Sequence, residues 1–113
     1  MLLMKKMFFD AIRRGQKTTT LRYWHSPRAK PGSVHTVPGL GRLAINDIRA
    51  VRPADLTDDD ARADGFDSLR ALRKALNELY PVSKRQGRTL YRVTFRYVGD
   101  DQPNSANDAS KNT

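Results

Sequence analysis

Apolar and polar residues alternate along this chain with two different periods, and the changes of period mark its elements. Leu2, Leu3, Met7, Phe8, Ala11 and Ile12 recur at helical spacing, and Gly15 follows as a C-cap, which predicts a short first helix ending near Arg14. Thr18 to Tyr23 is rich in β-favouring residues and reads as a strand. Ser26 to Gly32 holds two prolines and a glycine and reads as a loop, Ser33 to Val37 as a second strand, and Pro38-Gly39-Leu40-Gly41 as a turn. From Arg42 to Val51, Leu43 and Ile45, then Ile48 and Val51, take the apolar positions, with Arg42, Asn46 and Arg49 between them. The segment reads as a strand with room for a bulge.

Thr57 followed by Asp58, Asp59 and Asp60 is a helix start, with a capping hydroxyl and acids placed where the helix dipole favours them. That helix is short and stops at Gly65. A second begins at Asp67-Ser68, carries Leu69, Leu72, Leu76 and Leu79 as one apolar stripe, and ends at Tyr80-Pro81. A basic loop leads to Thr89–Val98, where Leu90, Arg92, Thr94 and Arg96 alternate with Tyr91, Val93, Phe95 and Tyr97, a strand pattern. Residues 99–113 have almost no apolar content and are expected to be a disordered tail, leaving residues 1–98 as the folded domain. The order helix, strands, two helices, strand points to an α+β domain whose small twisted sheet curls toward a barrel, with helices closing it.

Composition narrows the chemistry. The chain has 113 residues and no cysteine, which removes disulfides, thiolate metal sites and cysteine nucleophiles together. His25 and His35 have no third ligand at metal spacing, so neither metal nor cofactor is expected. No stretch approaches the roughly 18 apolar residues of a membrane span, and the chain reads as cytoplasmic. Its formal charge is +9, and the first 98 residues alone hold 20 bases against 9 acids. A surplus of that size on so small a body attracts polyanions.

The residues with chemical potential cluster between Gly15 and Lys30. Lys17 sits at the entry to the Thr18–Tyr23 strand, near the face of Thr18 and Thr20, where a lysine of depressed pKa can take a threonine's proton. Arg22 shares the parity of Thr20 and can hold a phosphate or carbonyl oxygen. Tyr23 and Trp24, with Arg22 and Arg28 nearby, form either a stacking platform for unpaired bases or the plug of a core edge. Asp58 to Asp60 serve the helix start, whereas Asp64 stands in the turn after that helix, outside any capping role.

Taken in order, these features resemble the ASCH domain family, which has a PUA-like fold. The resemblance rests on Ile12-x-x-Gly15-x-Lys17-x-x-Thr20-x-Arg22, Lys30-Pro31-Gly32, Leu56-Thr57-x-x-x-Ala61-x-x-Asp64-Gly65-Phe66, Leu79-Tyr80-Pro81 and Leu90-Tyr91-Arg92-Val93-Thr94-Phe95, across about residues 7–97. It implies a curved mixed sheet or barrel, with a first helix and two central helices packed around a cleft lined by Lys17, Thr20 and Arg22. ASCH proteins are thought to act on RNA or nucleosides. Some are amidohydrolases that remove the acyl group of N4-acetylcytidine, and a ribonuclease activity is also attributed to the family. By position, Lys17 and Thr20 match the lysine and threonine of the amidohydrolase branch, and Asp64 falls where that branch carries glutamate, a carboxylate one methylene longer.

The first expectation is therefore an RNA-binding domain. Trp24 or Tyr23 would stack a base, and Lys17, Arg22, Arg28 and Lys30 would meet phosphates, with Arg85 and Arg88 as outer contacts. The alternative is an amidohydrolase in which Lys17 activates Thr20 and Asp64 relays a proton. A ribonuclease using Lys17 and His25 ranks third, and a basic scaffold for a protein partner fourth.

Overall fold

The computed structural model describes residues 2–99. The expected tail, residues 99–113, lies outside them except for Gly99. A short 3-10 turn, Lys6–Phe8, runs into helix α1, Phe9–Arg13. Strands β1 (Thr19–Trp24), β2 (Val34–Val37) and β3 (Gly41–Ala50) follow. Helices α2 (Asp58–Ala63), α3 (Leu69–Leu79) and α4 (Val82–Arg85) come next, and strand β4 (Thr89–Tyr97) closes the chain. The four strands form one sheet in the order β1-β4-β3-β2, every pairing antiparallel, curled into a half-barrel.

The alternation in β4 decides how the core divides. Val93 and Phe95 point to one face, where they pack with Ile12, Val37, Leu43 and Ile45. Leu90 points to the other, against Leu21, Tyr23, Leu56, Leu72 and Leu76. Each face of the sheet thus has its own apolar layer, one closed by the N-terminal segment and α1, the other by α2 and α3. β3 has a bulge at Asn46: Ile45 faces Phe95 and Asp47 faces Thr94, so two steps on β3 match one on β4. The extra residue returns Ile48, opposite Val93, to the face already occupied by Ile45. It also bends the strand and raises its twist, which helps curl the sheet.

The two helix starts form as their sequences dictate. The Thr57 hydroxyl accepts from the Asp60 amide and the Asp60 carboxylate accepts from the Thr57 amide, a complete capping box for α2. Ser68 caps α3 through the Ala71 amide. A Thr57→Ala substitution is expected to lower stability by about 1 kcal/mol, read as a shift in the midpoint of urea unfolding at unchanged slope.

Two elements depart from the expectations above. The first helix does not start near Leu2: Lys5 is extended and the chain turns helical only at Lys6. Leu2 is buried, while Leu3 and Met7 are 64% and 74% exposed. A tertiary bond explains the difference, because the Arg22 guanidinium donates to the Leu3 carbonyl and holds this segment extended across β1. The basic loop after Tyr80 contains α4, which has no buried residue and hence no apolar stripe to announce it.

Candidate functional site

The end of α2 and the start of β1 are tied together by a hydrogen bond of 2.8 Å from the Thr18 amide to the Ala63 carbonyl. That bond sets Lys17, Thr19 and Asp64 side by side. Gly65 makes the approach possible. It has φ +94, and a Cβ there would come within 3.1 Å of the Phe8 ring and 3.2 Å of Lys17 Cδ. Glycine is the residue that meets both requirements.

Lys17 and Asp64 are almost completely buried, at 3% and 5% exposure. The Lys17 ammonium donates to the Thr19 carbonyl at 2.8 Å and to the Asp64 carbonyl, and it lies 3.6 Å from Asp64 Oδ2. It also sits 4.4 Å from the centre of the Phe8 ring, a cation–π contact. The Thr19 hydroxyl donates to Asp64 Oδ1 at 2.9 Å. Burial lowers the Lys17 ammonium to about 8, against the opposing pull of the Asp64 carboxylate. Burial likewise lifts the Asp64 carboxyl to about 6, against the opposing pull of Lys17. Between those two values both groups are predominantly charged, and the ion pair is intact.

Thr20 and Arg22 project from the opposite face of β1 to Thr19. Arg22 Nε donates to the Thr20 hydroxyl at 2.9 Å, and burial holds the Arg22 guanidinium below its usual value. The Thr20 hydroxyl is thus bonded to Arg22, while the Lys17 ammonium spends its donors on Thr19 and Asp64.

Lys17, Thr20, Arg22 and Asp64 nevertheless line one cavity of about 180 Å³. Its walls come from α3 (Leu72, Leu76, Leu79), from Tyr80 and Phe66, and from Leu3, Met4 and Phe8 of the N-terminal segment. Phe8 and Phe66 meet edge to face at 5.5 Å. The cavity is an apolar slot with a charged floor, and Leu3 and the 46% exposed Leu79 stand at its rim. Its volume is below the roughly 300–1,000 Å³ of pockets for drug-sized ligands, which suits one flat ring better than a whole nucleotide.

Four of the residues singled out in the sequence meet in this cavity. Tyr23, Trp24 and Arg28 line a neighbouring pocket instead, and Lys30 is exposed and lines neither. Trp24 packs against the core layer under β4 and lies 6.0 Å from Tyr91, ring to ring. Tyr23 is buried in the α3-side core. The sequence reading missed Thr19, the partner of Asp64, because it followed the parity of Thr18 and Thr20. It also missed Tyr80 and Phe66, whose apolar character marks a core position as readily as a pocket wall. Among the described residues no group of three His, Cys, Asp or Glu side chains is placed to hold a metal, and no helix is long and apolar enough to cross a membrane.

No family model and no curated protein matches the sequence. Solved structures do match the fold. The hypothetical protein PH0355 superposes with a TM-score of 0.71 at 14% identity, over 85% of this chain and 95% of its own. The ASCH domain from Lactobacillus crispatus gives 0.68 at 15% identity, over 80% and 69%. Protein EF3133 from Enterococcus faecalis, described by family model DUF984, gives 0.60 at 16% identity, over 81% and 70%. A shared course of the chain at so little identity is a statement about architecture, and it agrees with the motif order read from the residues: this chain has the fold of the ASCH domain.

Proposed function

We propose that this protein binds RNA and takes one unpaired base, plain or modified, into the cavity between α3 and the N-terminal segment. The observation that carries the reading is the cavity itself. It has apolar and aromatic walls around a volume of about 180 Å³, over a floor of hydrogen-bonding groups that can read a base edge. The +9 charge supports it by supplying the field that draws a polyanion to the surface. Lys17 and Asp64 act in this reading as the fixed framework of the floor, because their strongest bonds are to protein groups. Arg22 and Thr20 are the polar contacts for the base.

The test is a titration of short labelled single-stranded RNA at two salt concentrations. Saturable binding of intact RNA that weakens steeply with salt, as each neutralised phosphate releases counterions, is expected. Absence of binding at low salt would reject the reading.

One observation favours the amidohydrolase alternative: Lys17, with its ammonium lowered to about 8, shares the cavity with Thr20 and Asp64. In that case the same preparation would release cytidine from N4-acetylcytidine, and Thr20→Val, a near-isosteric change, would abolish turnover without unfolding the protein. Turnover that persists in Thr20→Val removes the threonine as nucleophile.

A further inference from the structure

Tyr80 ends α3 and lines two pockets at once, the cavity described above and a second one of about 300 Å³ beside it. Its ring meets Tyr23 edge to face at 5.2 Å, so the shared wall is braced from the core side. The second pocket differs from the first in kind. Its lining includes His25, Arg28 and Arg88 together with the rings of Tyr23, Trp24 and Tyr80, and it contains no carboxylate.

Arg28 and Arg88 also differ from the paired arginines of this molecule. Arg13, Arg49, Arg52, Arg62 and Arg92 each pair with an aspartate. Among the described residues, the guanidinium groups of Arg28 and Arg88 have no hydrogen-bond or ion-pair partner, although they border a common pocket. His25 Nδ1 lies 3.0 Å from the Gly87 carbonyl, which can only accept, so Nδ1 carries the proton and the bond ties the ring to the turn that leads into Arg88. Two unpaired guanidinium forks, with no acid to neutralise them, are a receptor for a tetrahedral anion.

We infer that this second pocket is a phosphate subsite, in which Arg28 and Arg88 hold the phosphodiester next to the base that enters the first cavity past Tyr80. The inference rests on the reading of the first cavity as a base site, and it extends that reading from a single base to a nucleotide step.

Trp24 lines the second pocket and is the sole tryptophan, so its fluorescence reports occupancy directly. The probes are inorganic phosphate, uridine, uridine 5′-monophosphate and a hexamer of uridylate. They are titrated into the wild type, the Arg28→Gln/Arg88→Gln variant and Ala75→Phe, which narrows the first cavity from α3. Both arginines are exposed, and circular dichroism verifies the fold of each variant.

Phosphate and the monophosphate are expected to change Trp24 emission saturably in the wild type and not in the double arginine variant. That variant should bind the hexamer on the order of 100-fold more weakly, two charge-assisted contacts being lost. Its salt slope should be shallower by about two. If hexamer affinity and slope are unchanged in the arginine variant while Ala75→Phe weakens binding, the phosphate subsite is overturned and the base cavity stands. If the arginine variant loses binding and Ala75→Phe does not, the base cavity fails and the subsite stands. Should the hexamer not bind the wild type at all, inorganic phosphate decides alone. A saturable response lost in the arginine variant upholds the subsite, and no response overturns it.

Discussion

Replacing Lys17 with methionine is expected to cost about 3–5 kcal/mol of stability at neutral pH, because it leaves the Asp64 carboxylate buried without its counter-charge. Replacing both members, as Lys17→Met/Asp64→Asn, should recover part of that loss, since the isosteric amide removes the unpaired buried charge and still accepts from the Thr19 hydroxyl. The sign of the pH response separates this account from simple loss of packing. In the wild type the Asp64 pKa is raised to about 6, so the folded state binds more protons than the unfolded chain between the ordinary aspartate value and 6. Asp64 therefore adds stability as pH falls through 6. Lys17, lowered to about 8, adds stability as pH rises from 8 toward its ordinary value of 10.5. The pair contributes least between 6 and 8. In Lys17→Met the opposing pull on Asp64 is gone and its pKa rises further, so the variant should gain stability on acidification from neutral pH more steeply than the wild type does. Urea unfolding at pH 5 and pH 7 reads this directly. A Lys17→Met deficit that is the same at both pH values would show that the ion pair is not its source.

The second large effect concerns the base cavity. Ala75 is half-buried on the side of α3 that lines it. Phenylalanine there should occupy the slot with little disturbance to the helix, whose fully buried contacts are made by Leu72 and Leu76. Stacking of one base is worth about 1–3 kcal/mol, so affinity for single-stranded RNA should fall by roughly 10- to 100-fold. The salt slope should stay close to that of the wild type, because no phosphate contact is removed. Fluorescence anisotropy at two salt concentrations measures both quantities. A folded Ala75→Phe protein with wild-type affinity would place the base elsewhere.

The sequence was most legible where a local rule and the tertiary structure agree. Thr57 caps the helix it was expected to cap, α3 starts after Asp67-Ser68 as expected, and the alternation of β4 matches its two core layers. The Leu72 and Leu76 stripe faces the core, and the strand expected from Arg42 onward does carry a bulge. The site was legible in part. Lys17, Thr20, Arg22 and Asp64 do share a cavity, but the bonding among them was not visible in the spacing. Lys17 turns back to Thr19 and Asp64, and Thr20 is taken by Arg22, because the close packing of the α2 end against the start of β1 selects those partners. The walls stayed hidden for a different reason. Phe8, Phe66, Leu76 and Tyr80 carry the same apolar signal whether they fill a core or border a void, and only the placement of α3 against the N-terminal segment separates the two.

The bulge in β3 makes one position of the fold unusually open to change in chain length. Ile45 already faces Phe95 and Asp47 already faces Thr94, so Asn46, exposed and set between them, has no partner of its own in the ladder. A lineage that lost this residue would keep every other cross-strand pair and both apolar layers in place. Loss of a residue farther along either arm of the strand would slip the register there and exchange the two faces. What such a shortened strand would give up is bend, so length variation at Asn46 is a route by which relatives with this architecture can vary the curvature of the half-barrel while keeping their core.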